Sequence, residues 1–166
     1  MKRVSKWATV WLRLRRSLPD EGGGVLALVA LFLPIAILCA GMVEDLGAVF
    51  VARKAVQAAC DLGSLAGVLE LDWDRLAEGE VRLREQDGEG VATEVASDNL
   101  DSLTNLINVI SLTSTVQNPP ARPDPVVIVE VRFTVRTPSL RWLPGLSSGF
   151  QGTIVSEASV VQRTRW

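Results

Sequence analysis

The 166-residue chain has no histidine, no tyrosine and only two cysteines. Without an imidazole there is no histidine-based triad and no histidine metal site. Cys39 is expected within lipid and Cys60 on an alanine-rich helix, neither beside a plausible base. Ser64, Ser111 and Ser139 stand in no nucleophile motif. The run Gly22-Gly23-Gly24 precedes an apolar stretch and not a lysine-bearing phosphate loop. The acids Asp72, Asp74, Glu78 and Glu80 lack the spacing and glycine of a calcium loop. The expectation is a protein that is not an enzyme, with no cofactor, no metal and no catalytic residue. On one continuous helix Cys39 and Cys60 would be about 31 Å apart. That is far beyond disulfide reach, so both read as small apolar side chains.

Charge of either sign is missing between Glu21 and Glu44. Ahead of that gap stand Lys2, Arg3, Lys6, Arg13, Arg15 and Arg16, against Asp20 and Glu21. From Glu44 onward acids outnumber bases, 17 to 11. An acidic outer part speaks against nucleic acid as a partner, since that binding needs a basic footprint.

What is present is an apolar run, Val25 to Val43. Its length is close to the ~20 residues that cross ~30 Å of hydrocarbon as a helix. A cleaved signal core is shorter, roughly 7–15 residues, and ends at small residues. Leu38 ahead of Cys39-Ala40 fits that pattern poorly. The reading is a retained signal anchor, residues 22–43, in the bacterial cytoplasmic membrane with membrane lipid as a partner. The basic cluster places residues 1–21 in the cytoplasm as a basic tail and the remainder outside. Pro34 lies mid-span, where it removes one backbone hydrogen bond and is a candidate kink. In the tail, Trp7, Trp11, Leu14 and Leu18 recur at helical spacing opposite basic residues. Two readings stay open there: a helix on the inner membrane surface, or a basic leader that sets topology.

After Glu44-Asp45 nothing stops the helix, and it is expected to run on over residues 44–71. Ala48 and Ala52, then Ala55, Ala59, Gly63 and Gly67, recur every four residues. Such a row lets two helix backbones approach closely. Gly63 and Gly67 each weaken a helix by about 1 kcal/mol relative to alanine, so packing explains them better than helix propensity does. The row is expected to face either the chain's own strands or a neighbouring copy. Asp45, Arg53, Lys54 and Asp61 are candidates for ion pairing.

The stretch from Gly22 to Leu71 resembles the N-terminal region of the TadE/TadG-like proteins of the Tad (tight adherence, Flp) pilus system. The matching features are Gly22 to Gly24, Pro34, Asp45-Leu46-Gly47, Arg53-Lys54, and Ala58 to Gly67 with Asp61. Processed pilins of this kind resemble one another in a glutamate five residues past the cut. Here Ala27, Leu28 or Val29 would fall there, so the unprocessed, TadG-like type fits better. The resemblance implies a minor pilin-like subunit or assembly component of a Tad pilus system. It would act by lateral helix packing, with other Tad pilus or secretion components and self-association as its partnerships. The alternative is a membrane-anchored structural or sensory protein with an interaction head unrelated to pili.

Beyond Leu71 the reading is a small α+β head over residues 72–166. A charged loop covers 72–90. A second helix lies near 91–110, with Val91, Val95, Leu103, Leu106 and Ile110 on or near one face. Asn118 to Pro125 resets the chain. Strands follow near 126–136, where Val127, Val129, Val131, Phe133 and Val135 alternate with polar residues, and near 153–162. Trp142, Leu146 and Phe150 lie between them and either pack on the helix or form a contact patch. The expected fold class is α+β: a long N-terminal transmembrane helix continuing into a pilin-like head with a second helix and a short antiparallel sheet.

Overall fold

The computed structural model describes residues 23–137 and 149–161. The chain divides into two compact units, Met1–Val43 and Glu44–Trp166. Helix α1, Gly23–Val68, belongs to both. The amphipathic pattern of the basic tail, and Trp142 and Leu146, lie outside the described residues.

In the first unit the described chain is the opening half of α1. Its large apolar side chains, including Val25, Phe32, Ile37 and Val43, are all exposed. Among the described residues this is the one helix long and apolar enough to cross a membrane. The helix continues through Pro34. Proline has no N–H, so the Ala30 carbonyl one turn earlier loses its backbone donor.

In the second unit, α1 is followed by a short helix α2 (Trp73–Ala77), helix α3 (Glu85–Asp101) and strands β1 (Ile107–Gln117), β2 (Val126–Val135) and β3 (Phe150–Ser159). The strands form one antiparallel sheet in the order β1-β2-β3. Val131 sits opposite Leu112 on one side and Ile154 on the other. Alternation in β2 sends Val127, Val129, Val131, Phe133 and Val135 to the buried face. The other face carries Glu130, Arg132 and Thr134, with Thr113 and Glu157 on the neighbouring strands, and is left to water. Ala52, Val56, Ala59 and Cys60 of α1 and Ala92, Ala96 and Leu100 of α3 complete the core.

Three boundaries differ from the sequence expectation, each for a local reason. Helix α1 ends at Val68, not Leu71. The chain turns after Gly67, and Leu71 forms a bridge with Leu83, flanked by Asp72 N–H to Arg82 C=O and Arg84 N–H to Glu70 C=O. The charged stretch then forms α2, whose N-cap Asp72 accepts the N–H groups of Asp74 and Arg75. Such a cap satisfies donors that the first helical turn leaves free.

The helix expected near 91–110 instead occupies Glu85–Asp101, and Ile107 opens a strand. Residues 107–117 are rich in Ile, Val and Thr, whose branched side chains favour a pleated surface over a helix. The helical spacing of Leu103, Leu106 and Ile110 was coincidental: Ile110 is the extra residue where the β1–β2 register shifts between Val109 and Ser111. The last strand begins at Phe150, pairing it with Val135, rather than at residue 153. Asn118, just past β1, holds the loop after α2. Its Oδ1 accepts the Leu83 N–H at 2.9 Å, and its Nδ2 donates to the Leu83 carbonyl at 3.0 Å.

Candidate functional site: the two faces of the long helix

The small-residue row of α1 turns inward. Ala52, Ala59, Gly63 and Gly67 are buried, and Ala48 and Ala55 are half-buried. A Cβ on Gly63 would stand 2.7 Å from the Ala92 carbonyl oxygen and 2.9 Å from the Ala96 Cβ. On Gly67 it would meet the Gly88 carbonyl oxygen at 2.7 Å, the Ala92 Cβ at 2.9 Å and the Val127 Cγ1 at 3.1 Å. Two helices and a strand therefore meet where α1 has no side chain. Helix α3 answers in kind, since its buried positions Gly88, Ala92, Ala96 and Leu100 also recur every four residues. This half of the seam escaped the sequence reading, which placed the face of that helix at Val91 and Val95. The spacing of Gly88, Ala92 and Ala96 was the available signal. Of the two directions left open for the row, the chain's own elements occupy it at Gly63 and Gly67.

A polar cluster beside the seam ties α1 to β3. The Asp61 Oδ1 accepts the Ser156 hydroxyl at 2.6 Å and the Gln57 amide at 2.7 Å. The Ser64 hydroxyl donates to the Asp61 carbonyl at 3.0 Å and lies 3.2 Å from the Ser156 Oγ. Asp61 is thus held by neutral donors, not by Arg53 or Lys54 as the sequence suggested. A carboxylate receiving such donors is satisfied without a counter-charge. Asp45 is buried, at 1% exposure, and has a partner of its own. Arg53 and Lys54 make no ion pair among the described residues. Cys60 is buried next to Asp61. Burial first, and the Asp61 charge second, push its thiol up to about 11. A thiol so raised stays protonated at neutral pH and is a poor nucleophile. Among the described residues no group of three or more acidic or thiol side chains is placed to hold a metal.

The opposite face of α1 is outward and apolar. Val51 is 61% exposed, Leu62 49%, Leu65 56% and Leu69 74%. At 3.6 residues per turn these positions and Ala58 share one side of the helix, facing away from Ala52, Val56, Ala59 and Gly63. An outward stripe of three large leucines is unusual on a surface exposed to water and marks a contact surface.

The family model described as "Putative Flp pilus-assembly TadE/G-like" matches residues 22–70. The matched segment is α1 together with its last turn, and it ends where the Leu71–Leu83 bridge begins. No curated protein and no solved structure matches the chain. Pro34, Asp45-Leu46-Gly47, Arg53-Lys54 and Asp61 all fall inside the match. Over residues 22–70 the chain is similar to the TadE/TadG-like family, which supports a Tad pilus-related protein.

Proposed function

We propose that this Tad pilus-related protein is a single-pass component of the bacterial cytoplasmic membrane, serving as a minor pilin-like subunit or assembly component without enzymatic activity. Residues 22–43 anchor it as an uncleaved signal anchor, the basic tail stays in the cytoplasm, and residues 44–166 lie outside. It associates laterally with other Tad components or with a second copy through the outward stripe of Val51, Leu62, Leu65 and Leu69. The observation that carries this reading is that the apolar exposure of α1 does not stop at Val43 but continues on one side as far as Leu69. The Gly/Ala row, by docking α3 closely at Gly63 and Gly67, fixes which side of α1 faces outward.

The test is in-cell crosslinking from a photoreactive residue at Leu65, compared with one at Ala59. Leu65 is expected to capture pilin, another Tad membrane component or a second copy. Ala59, buried in the seam, is expected to yield only crosslinks within the chain. Products between chains from Ala59, with none from Leu65, would overturn the reading. A periplasmic reporter enzyme fused after Trp166 should be active, and an inactive fusion of normal abundance would reverse the proposed orientation.

A further inference from the structure

Within the second unit, α1 does not close fully on the sheet. Val49, Phe50 and Arg53 face Phe133 of β2 and Phe150 of β3 across a cavity of about 390 Å³. Gly152, opposite Phe133 in the sheet, lets the Phe133 ring lie against its backbone. A Cβ there would stand 2.9 Å from the ring. The volume lies at the small end of the roughly 300–1,000 Å³ of ligand sites, which suits one large side chain and not a helix. Three phenylalanine rings give the lining its character, and Thr137, Gln151 and Thr153 supply hydrogen-bonding groups. Among the described residues Arg53 is the one charged group in this lining. It is exposed and makes no ion pair or hydrogen bond with them.

The second unit has four aromatic side chains among its described residues, and the one that does not line the cavity is Trp73. Trp73 opens α2 and is 63% exposed, with an indole N–H that no described residue accepts. Helix α2 has five residues and none is buried, so Trp73 adds nothing to the chain's own core. Beside it, the Asp72 carboxylate is occupied by the cap, while Asp74 is exposed and has no counter-charge among the described residues. A buried indole wants an apolar seat and an acceptor for its N–H, and the cavity offers both. Arg53 there lacks an anion and Asp74 lacks a cation. A guanidinium and a carboxylate pair through two parallel hydrogen bonds. The two patches do not meet within one chain. From Val49 to Val68 helix α1 rises about 28 Å, and the Leu71–Leu83 bridge holds α2 at the far end.

We infer that Trp73 of one copy of this chain inserts into the cavity lined by Phe50, Phe133 and Phe150 of a second copy, with Asp74 paired to the second copy's Arg53. The two patches are different surfaces. Each copy in a pair therefore keeps one of them free, and the contact repeats head to tail into open rows instead of closing as a two-fold dimer. The inference goes beyond the outward stripe of α1 and does not depend on it.

The experiment uses the full chain in a non-ionic detergent, with a photoreactive benzoylphenylalanine in place of Trp73. Equal parts of unlabelled and heavy-isotope chains are mixed and irradiated, and crosslinked peptides are identified by mass spectrometry. Mixed-isotope crosslinks are expected from position 73 to Phe133 and to β3 between Phe150 and Ile154, with products larger than a dimer. Val49→Trp fills the cavity and should lower their yield about tenfold. Arg53→Glu or Asp74→Arg alone sets like charges together and should also lower the yield about tenfold. The two changes combined should restore it, which a folding defect would not. Crosslinks confined to single chains, or none at all, would overturn the inference. A yield that Val49→Trp leaves unchanged, or products that stop at the dimer, would overturn it too. Crosslinks between chains that land on Leu62, Leu65 or Leu69 would overturn it and leave the outward stripe standing as the contact surface. So would cavity crosslinks that appear only when residues 138–148 are replaced by a Gly-Ser segment of equal length, because the chain itself would then be the occupant.

Discussion

Replacing Gly67 by alanine sets two effects of opposite sign against each other. In an isolated helix the change would stabilise by about 1 kcal/mol. In this protein the new methyl would lie 2.7 Å from the Gly88 carbonyl oxygen, 2.9 Å from the Ala92 Cβ and 3.1 Å from the Val127 Cγ1. None of these is the far end of a flexible side chain, so α3 must move away from α1 and β2. Overpacking of this kind costs typically 1–3 kcal/mol, and contact with backbone on one side and a strand on the other puts Gly67 at the upper end. The expected net loss is about 2 kcal/mol. For a unit the size of residues 44–166 that corresponds to a fall of roughly 6–10 °C in melting temperature. The assay is thermal unfolding of the full chain in detergent, followed by circular dichroism. Gly90→Ala is the matched control, since a Cβ on Gly90 meets nothing within 4 Å and the helix gain should appear alone. Gly67→Ala that melts at or above the wild-type temperature, alongside Gly90→Ala, would refute the seam and return the small-residue row to a role between chains.

Two further outcomes follow from the buried polar groups. Ser156→Ala removes the hydroxyl that donates to Asp61 at 2.6 Å and should cost about 2 kcal/mol, as hydrogen bonds to charged groups do. A double-mutant cycle with Asp61→Asn should return a coupling of about 1 kcal/mol or more, and purely additive losses would contradict the contact. The Cys60 thiol, raised from 9.0 to about 11, makes stability depend on pH in one window. Below pH 9 it is protonated in both states and contributes no slope. Between pH 9 and 11 the unfolded chain releases this proton while the native chain retains it, so stability falls with rising pH, by about 3 kcal/mol in all, and the slope ends above 11. Denaturant midpoints of the wild type and Cys60→Ala measured from pH 8 to 11 should diverge, and parallel curves would refute the assignment.

Several elements were legible because a single local property decides them. The gap in charge from Glu21 to Glu44, with no turn signal for a further twenty residues, could only be a long helix. The strict alternation of Val127 to Val135 could only be a half-buried strand, since period two sends successive side chains to opposite faces. The family resemblance was carried by the same stretch, and the match over residues 22–70 coincides with it. The second helix was misplaced because Leu103, Leu106 and Ile110 mimic a helical face, while the branched residues that make 107–117 a strand gain their advantage only by pairing with β2.

The sequence by itself determined that α1 is long, apolar and lined with small residues at every fourth position. It could not say which side of α1 is inside. Both sides are apolar, so the hydrophobic effect, which is proportional to area and has no direction, does not choose between them. The tertiary structure decided it through shape. Gly88, Ala92 and Ala96 on α3 leave a surface shallow enough only for Gly63 and Gly67, and the leucines at 62, 65 and 69 are turned outward as a consequence. The same holds for Asp61. Its charge and neighbours in sequence suggested a basic partner, and only the folding of β3 onto α1 brought Ser156, 95 residues away, within 2.6 Å of it.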